Sequence, residues 1–248
     1  MVAGAVIEFK VQTPVSDLRL LRNVAWSRPR YPDVSQGPPR CATLNIIASG
    51  PSARSAPLSH LGPTMALNGS LGLFREAGLT PTWWAACDPQ VLVSDFLRDP
   101  PPETIYLAAS KCDRTVFRAL RGHQVRLWHL DDVDAVPWAV PVATTITLTA
   151  IPLAVHMGFR RIDIWGWDGC YLDGLDHACP QPHDTAHNVS VEVGRQTFQT
   201  TASWALEAQE AVYVVGQSGA RVRIHGPGMI ATILHHLRPE LCETPDVG

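Results

Sequence analysis

Thr43-Leu44-Asn45-Ile46-Ile47-Ala48-Ser49-Gly50-Pro51-Ser52 is the stretch that decides the fold. An apolar run of strand length ends abruptly in a small, polar turn. A short apolar run followed by turn residues fits a strand buried on both faces, as in a parallel sheet covered by helices. The turn then matters in its own right. In open parallel sheets, ligands bind outside the carboxyl ends of the strands.

Outward from this stretch the same pattern repeats. Further strands are expected at Thr64–Leu67, Thr82–Cys87, Ile105–Ala109, Val125–His129, Arg161–Gly166 and Val222–His225. Helices are expected near Ser70–Ala77, Arg114–Leu120, Thr145–Met157, Thr201–Gln217 and Met229–Leu237. Gly158 follows its helix as a C-terminal glycine cap does. Strand–helix alternation of this kind predicts an α/β, Rossmann-like fold: a mainly parallel sheet with helices on both faces. Residues 41–238 form one expected Rossmann-like domain, with a long polar loop at 167–197. A loop of that length is usually functional. Residues 1–40 are expected as an N-terminal extended arm with a strand at Ala5–Val11. Its Pro29, Pro32, Pro38 and Pro39 disfavour helix. Residues 239–248 are read as a tail.

The bulk composition sets bounds on function. Of 248 residues, 46% are hydrophobic and 17% charged, and the net charge of −3 argues against a generally basic nucleic-acid-coating protein. No stretch approaches the ~20 apolar residues that span a bilayer, and the N-terminus lacks a basic segment followed by a long apolar core. The six cysteines form no C-x-x-C pair. A cytoplasmic protein with reduced thiols and no membrane partner is expected.

The strand ends supply the candidate site. Ser49, Gly50, Pro51 and Ser52 follow the first strand, Asn68 the second, Asp88 the third, and Trp167 and Asp168 the sixth. Gly50 has freedom for positive φ, Pro51 suits a first helical position, and the N–H groups beyond it with the Ser52 hydroxyl suit a phosphate. The plain alternative is an ordinary strand-to-helix turn. Asp88 suits a ribose hydroxyl, a phosphate-bridging metal, or a helix cap. Asp168, between glycines, suits a tight Asx turn as readily as a metal. The loop carries His177, Cys179, His183 and His187. Their spacing matches no common closed zinc motif, so no metal site is assigned, and a general base or solvated loop histidines are the remaining readings. Arg195 has the chemistry to clamp a phosphate.

The segments N-I-I-A-S-G-P-S (45–52), M-A-L-N-G-S (65–70) and A-G-L-T-P-T-W-W-A-A-C-D-P (77–89) resemble the MptE-like family. That family includes archaeal 6-hydroxymethylpterin pyrophosphokinases, motility-associated glycosyltransferase factors and many phage proteins. A-V-H-M-G-F-R-R-I-D-I-W-G-W-D-G-C-Y (154–171), D-H-A-C-P-Q (176–181) and G-R-Q-T-F-Q-T-T-A-S-W (194–204) resemble its phage-type branch. The layout is also similar to that of small bacterial sialyltransferases that use a CMP-sugar. That likeness implies that Gly50, Pro51, Ser52, Asn68, Asp88, Thr144, Thr145 and Gly166 hold a nucleotide. It also implies that one of His177, His183 and His187 is the base, and that Tyr171 stands near the leaving phosphate. The chain departs from both patterns. Ala48 replaces the first glycine of G-x-G-P-S, the aspartate-rich metal motif is reduced to Cys87-Asp88-Pro89, and only one tyrosine is well placed.

The expected activity is transfer from a nucleotide-activated donor of the CMP- or UDP-sugar type to a hydroxyl acceptor, such as a sugar, a glycan or a modified base. One alternative is a pyrophosphokinase using ATP, with magnesium on Asp88 and Asp168 and a pterin-like acceptor. The other is a non-catalytic nucleotide-binding module. A homo-oligomer is compatible with all three.

Overall fold

A computed structural model describes residues 15–132, 136, 138–181 and 188–239. The expected strand at Ala5–Val11, the candidates His183 and His187, and all but the first residue of the tail lie outside the described residues.

The elements in chain order are α1 (Asp17–Ser27), β1 (Leu44–Ile47), β2 (Thr64–Leu67), α2 (Leu71–Glu76), β3 (Trp83–Ala86), β4 (Ile105–Ala109), α3 (Arg114–Ala119), β5 (Gln124–Trp128), α4 (Ile146–His156), β6 (Arg161–Trp165), β7 (Asn188–Val193), β8 (Gln196–Thr201), α5 (Ala202–Gln217), β9 (Arg221–His225) and α6 (Met229–Leu237). Short 3-10 turns, including Pro51–Ser55 and Asn68–Ser70, fill the connections. Seven strands form one sheet in the order β5-β4-β3-β2-β1-β6-β9, and every neighbouring pair is parallel. The architecture is α/β and Rossmann-like.

The chain begins this sheet in its middle, at β1, and winds outward to β5. It then returns to lay β6 on the other side of β1. Strand order therefore reverses between β1 and β6. Connections leave these two strands in opposite directions, which opens a crevice at their carboxyl ends.

β1 to β3 are buried along their whole length, as runs without alternation require. Trp84 and Trp128 are fully buried, and each indole N–H donates to a carbonyl, Asn68 O at 2.9 Å and Leu107 O at 3.1 Å. Their apolar area is thus buried without an unpaired donor. Gly158 closes α4 with φ +96°: its N–H donates to Val155 O and that of Phe159 to Ala154 O, each at 3.0 Å. These two bonds satisfy carbonyls that the helix end leaves unpaired. Burial pushes the Cys87 thiol up to about 12, so it behaves as a small apolar side chain. Among the described residues, no helix is long and apolar enough to cross a membrane.

Two elements depart from the sequence expectation. Within 1–40, α1 is a regular helix. Its inward face carries Asn23, Val24 and Ser27, and Asn23 and Ser27 donate to the carbonyls of Lys111 and Ser110 after β4. Leu18 and Leu21 stay exposed. Val24 and Trp26 also pack inward, Trp26 with its ring 5.5 Å from that of Phe117, so the inward face mixes apolar and polar residues. The proline-rich segment does run extended. It bridges Leu127 through Asp33 at one sheet edge and Phe159 through Arg40 beside β6. The second departure is in 167–197, where β7 pairs antiparallel with β8 across a Gly194-Arg195 turn. Val189, Val191 and Val193 alternate with polar residues in β7, and Gly194 takes φ +61°.

Candidate functional site

A cleft of about 140 Å³ opens at the reversal point. Its floor is the end of β1 (Ala48, Ser49, Gly50) and the segment after β6 (Gly166 to Cys170). Leu67 and Asn68 after β2 form one wall, and Thr145 to Thr147 at the start of α4 form another. Asp176, His177 and Gln181 close it from the loop, with Trp204 and Glu207 from α5.

The Gly50 turn is built for close approach. Gly50 takes φ −68°, ordinary extended backbone, so freedom for positive φ is not what the position uses. A Cβ there would lie 2.5 Å from both Asp168 Oδ2 and the Gly166 carbonyl oxygen. Pro51 starts the following 3-10 turn, as expected. The Ser52 donors have a partner within the chain: the backbone N–H donates to Asp168 Oδ2 at 2.9 Å and the hydroxyl to Oδ1 at 2.6 Å. The anion seated on this turn is therefore the protein's own carboxylate. Asp168 is 2% exposed, and its backbone carbonyl accepts from Ile230 N–H at the start of α6. Burial raises its carboxyl above the usual value, and the two Ser52 bonds oppose that rise. Asp168 thus joins the turns after β1 and β6 to the start of α6.

Ser49 and Asn68 are held side by side. The Ser49 hydroxyl donates to Leu67 O at 3.2 Å, and its carbonyl accepts from Ala178 N–H. Asn68 adopts φ +47°, an unusual conformation for a residue with a side chain. Its Oδ1 is buried without a hydrogen-bond partner among the described residues, and so is Gln181 Nε2, which lies against the neighbouring Gly69. Buried polar atoms are normally paired, so this acceptor and donor mark a place that a polar ligand would complete.

Thr145 is the residue before α4, but its side chain does not cap the helix. Its hydroxyl donates instead to Glu207 Oε1 at 2.5 Å, and Trp167 Nε1 donates to the same oxygen at 2.6 Å. Burial pushes the Glu207 carboxyl up to about 7 against these two bonds, with the nearby Glu210 charge adding to the rise. Thr144 lies just behind the lining. Its N–H donates to Glu210 Oε2 at 2.9 Å, and its hydroxyl oxygen is buried without a partner among the described residues.

Of the three loop histidines, His177 is the one the described residues include, and it lines the cleft. Its Nδ1 lies 3.2 Å from Asp176 Oδ2, within ion-pair distance but outside hydrogen-bond geometry. Tyr171 stands one layer back. Its ring packs 5.4 Å from that of Trp204, and its N–H donates to Gln199 O. Pro51 and Ser52, like Thr144 and Tyr171, are not in the lining itself, and neither are Asp88 and Arg195. Asp88 accepts from Gln90 N–H and Gln90 Nε2, a local turn contact. Arg195 lies exposed in the β7–β8 turn. Among the described residues, no cluster of three or more His, Cys, Asp or Glu is arranged to hold a metal.

Sequence reasoning missed Glu207, Trp204, Asp176 and Gln181. Glu207 left one signal. It is a carboxylate on the same face of α5 as the buried Ala208, Ala211 and Val215, where an apolar residue is the rule.

Comparison with protein-family models gives no match, and comparison with curated protein sequences gives none. Among solved structures, the fold is similar to that of a MAf glycosyltransferase from Magnetospirillum magneticum AMB-1, with a TM-score of 0.63 and 14% identity over 86% of this chain. The chain spans 36% of the length of that one. At this identity the likeness establishes the fold.

Proposed function

We propose that the chain is a transferase that moves a sugar from a nucleotide-activated donor to a hydroxyl acceptor. The observation that carries this reading is the polar cleft at the β1/β6 reversal, where buried atoms of Asn68 and Gln181 lack partners and α4 starts without a side-chain cap. The glycosyltransferase with a similar fold supports it.

In this reading the Ser49–Gly50 backbone and Asn68 hold the nucleoside, and Gly166, where a Cβ would meet Ala53 and the carbonyls of Ala48 and Gly50, lets the floor beneath it close up. Thr144, Thr145 and the free N–H groups at the start of α4 hold the phosphate, where the helix dipole favours negative charge. His177 accepts the proton of the acceptor hydroxyl, and Asp176 stabilises the imidazolium that forms. The acceptor oxygen bonds to the anomeric carbon. The bond from that carbon to the phosphate oxygen breaks, and the nucleotide leaves with the electron pair. Trp204 and Tyr171 border the place where the acceptor would lie.

The magnesium-dependent alternative has less support. Both carboxylate oxygens of Asp168 are taken by Ser52, and Asp88 is outside the lining. The test is transfer or hydrolysis of CMP- and UDP-sugars in EDTA, by the native chain and by His177→Ala. Turnover in EDTA that falls by about 10²–10⁴-fold in the variant supports the reading. Turnover of ATP alone, and only with magnesium, refutes it.

A further inference from the structure

Glu207 sits on the inner wall of the cleft, 3% exposed, with Oε1 accepting from two groups. The Trp167 indole N–H can only donate, so that bond runs one way in either protonation state of Glu207. The Thr145 hydroxyl has one proton and two lone pairs. When Glu207 is ionised, Thr145 must donate to it, and only lone pairs remain for the cleft. A phosphate oxygen also carries only lone pairs, so the two then repel. When Glu207 is protonated, its own O–H can donate to Thr145 Oγ, and the Thr145 proton is free to turn to a phosphate.

We propose that Glu207 is a positioning residue: a phosphate binding beside Thr145 draws one proton from solvent onto Glu207, and this turns the Thr145 hydroxyl towards the ligand. This rests on the reading above that the phosphate sits at Thr145. The surroundings agree in sign. Glu210, on the same helix, places its carboxylate on Thr144 N–H. The segment after β6 brings Asp168, held by Ser52, and further on Asp176 beside His177. α4 contributes Thr145, Ile146 and Thr147 to the cleft and no charged side chain. Apart from His177, every ionisable group named here is a carboxyl group, and an incoming phosphate adds to the negative charge. With its carboxyl pushed up to about 7, Glu207 has a proton within reach at neutral pH.

The test is calorimetric titration with CMP and with UDP, in EDTA and in two buffers of different ionisation enthalpy, at pH 6, 7 and 8. The native chain is expected to take up close to one proton per ligand at pH 8, about half a proton at pH 7 and little at pH 6. Glu207→Gln carries no titratable proton, and its amide oxygen accepts from both Trp167 and Thr145 as the ionised carboxylate does, so it should bind with weakened, flat affinity from pH 7 to 8 and without that uptake. Thr145→Val, which removes the hydroxyl, should bind more weakly at every pH and also lose the uptake. If Glu207→Gln does not fold, Thr145→Val decides alone. Uptake unchanged in the variants places the proton elsewhere than Glu207 and overturns the proposal, as does binding by the native chain with no uptake at pH 8. If neither nucleotide binds the native chain, the functional reading fails and this inference fails with it.

Discussion

Replacing Glu207 by glutamine should remove a pH dependence of stability that the buried carboxyl imposes. The ordinary value of its carboxyl is 4.5, and in the folded chain it is pushed up to about 7. Between these values the folded state holds more protons than the unfolded one. The group's contribution is therefore fully present below 4.5 and is lost as pH rises through 7. A separation of about 2.5 pH units, at about 1.36 kcal/mol each, amounts to roughly 3 kcal/mol in total. Most of it, roughly 2–3 kcal/mol, falls between pH 5 and pH 8. Glutamine preserves the shape and both hydrogen-bond partners but carries no charge. Urea unfolding of both chains at pH 5 and pH 8 reads the effect directly. The stability of Glu207→Gln relative to the native chain should rise by roughly 2–3 kcal/mol over that range, which corresponds to roughly 5–10 °C in Tm for a chain this size. Parallel stability–pH curves for the two proteins would refute the argument, because they would mean that Glu207 is ionised in the fold at no cost.

Asp168→Ala leaves the Ser52 donors without their acceptor and should destabilise by about 2–4 kcal/mol in chemical unfolding, whereas the near-isosteric Asp168→Asn should cost less than half of that. Activity lost in Asp168→Asn with unchanged stability would show that Asp168 does chemistry rather than joining turns. Gly50→Ala drives a methyl group to 2.5 Å from the Gly166 carbonyl oxygen, so a loss of about 1–3 kcal/mol is expected by thermal melting, and a neutral result would show that the turn can open. His177→Ala should lower turnover of a sugar nucleotide by about 10²–10⁴-fold and leave CMP affinity within a few-fold. An equal loss in affinity and turnover would make His177 a binding residue.

The parallel sheet was legible because its strands are uninterrupted apolar runs such as Leu44–Ile47 and Trp83–Ala86, and because glycine marks the end of α4. The floor of the cleft was legible for the same reason: Ser49, Gly50, Asn68 and Gly166 each follow a strand. α1 was hidden because its inward face mixes Val24 and Trp26 with Asn23 and Ser27, whose side chains dock on carbonyls, and because prolines crowd the segment that follows. The β7–β8 hairpin was hidden because half of each strand faces water and its valines lie within a polar stretch. The pairing of Ser52 with Asp168, and of Thr145 with Glu207, spans 116 and 62 positions of chain. Side-chain contacts over such separations exist only once the sheet has brought the strand ends together. The two aspartates illustrate the point. Both end a strand and look alike in sequence, yet Asp168 is enclosed beneath the cleft and Asp88 is turned onto its own neighbour Gln90.

The central claim is that the cleft between β1 and β6 holds a nucleotide phosphate at Thr145. Calorimetric titration of CMP and UDP in EDTA into the native chain, Thr145→Val and Arg195→Ala tests it most directly. The account predicts that one nucleotide binds the native chain without metal, that Thr145→Val weakens it by roughly ten-fold or more, as loss of a charge-assisted hydrogen bond would, and that Arg195→Ala, in the exposed hairpin turn, does not. Equal affinity for the native chain and Thr145→Val, or binding of ATP alone and only with magnesium, would contradict it.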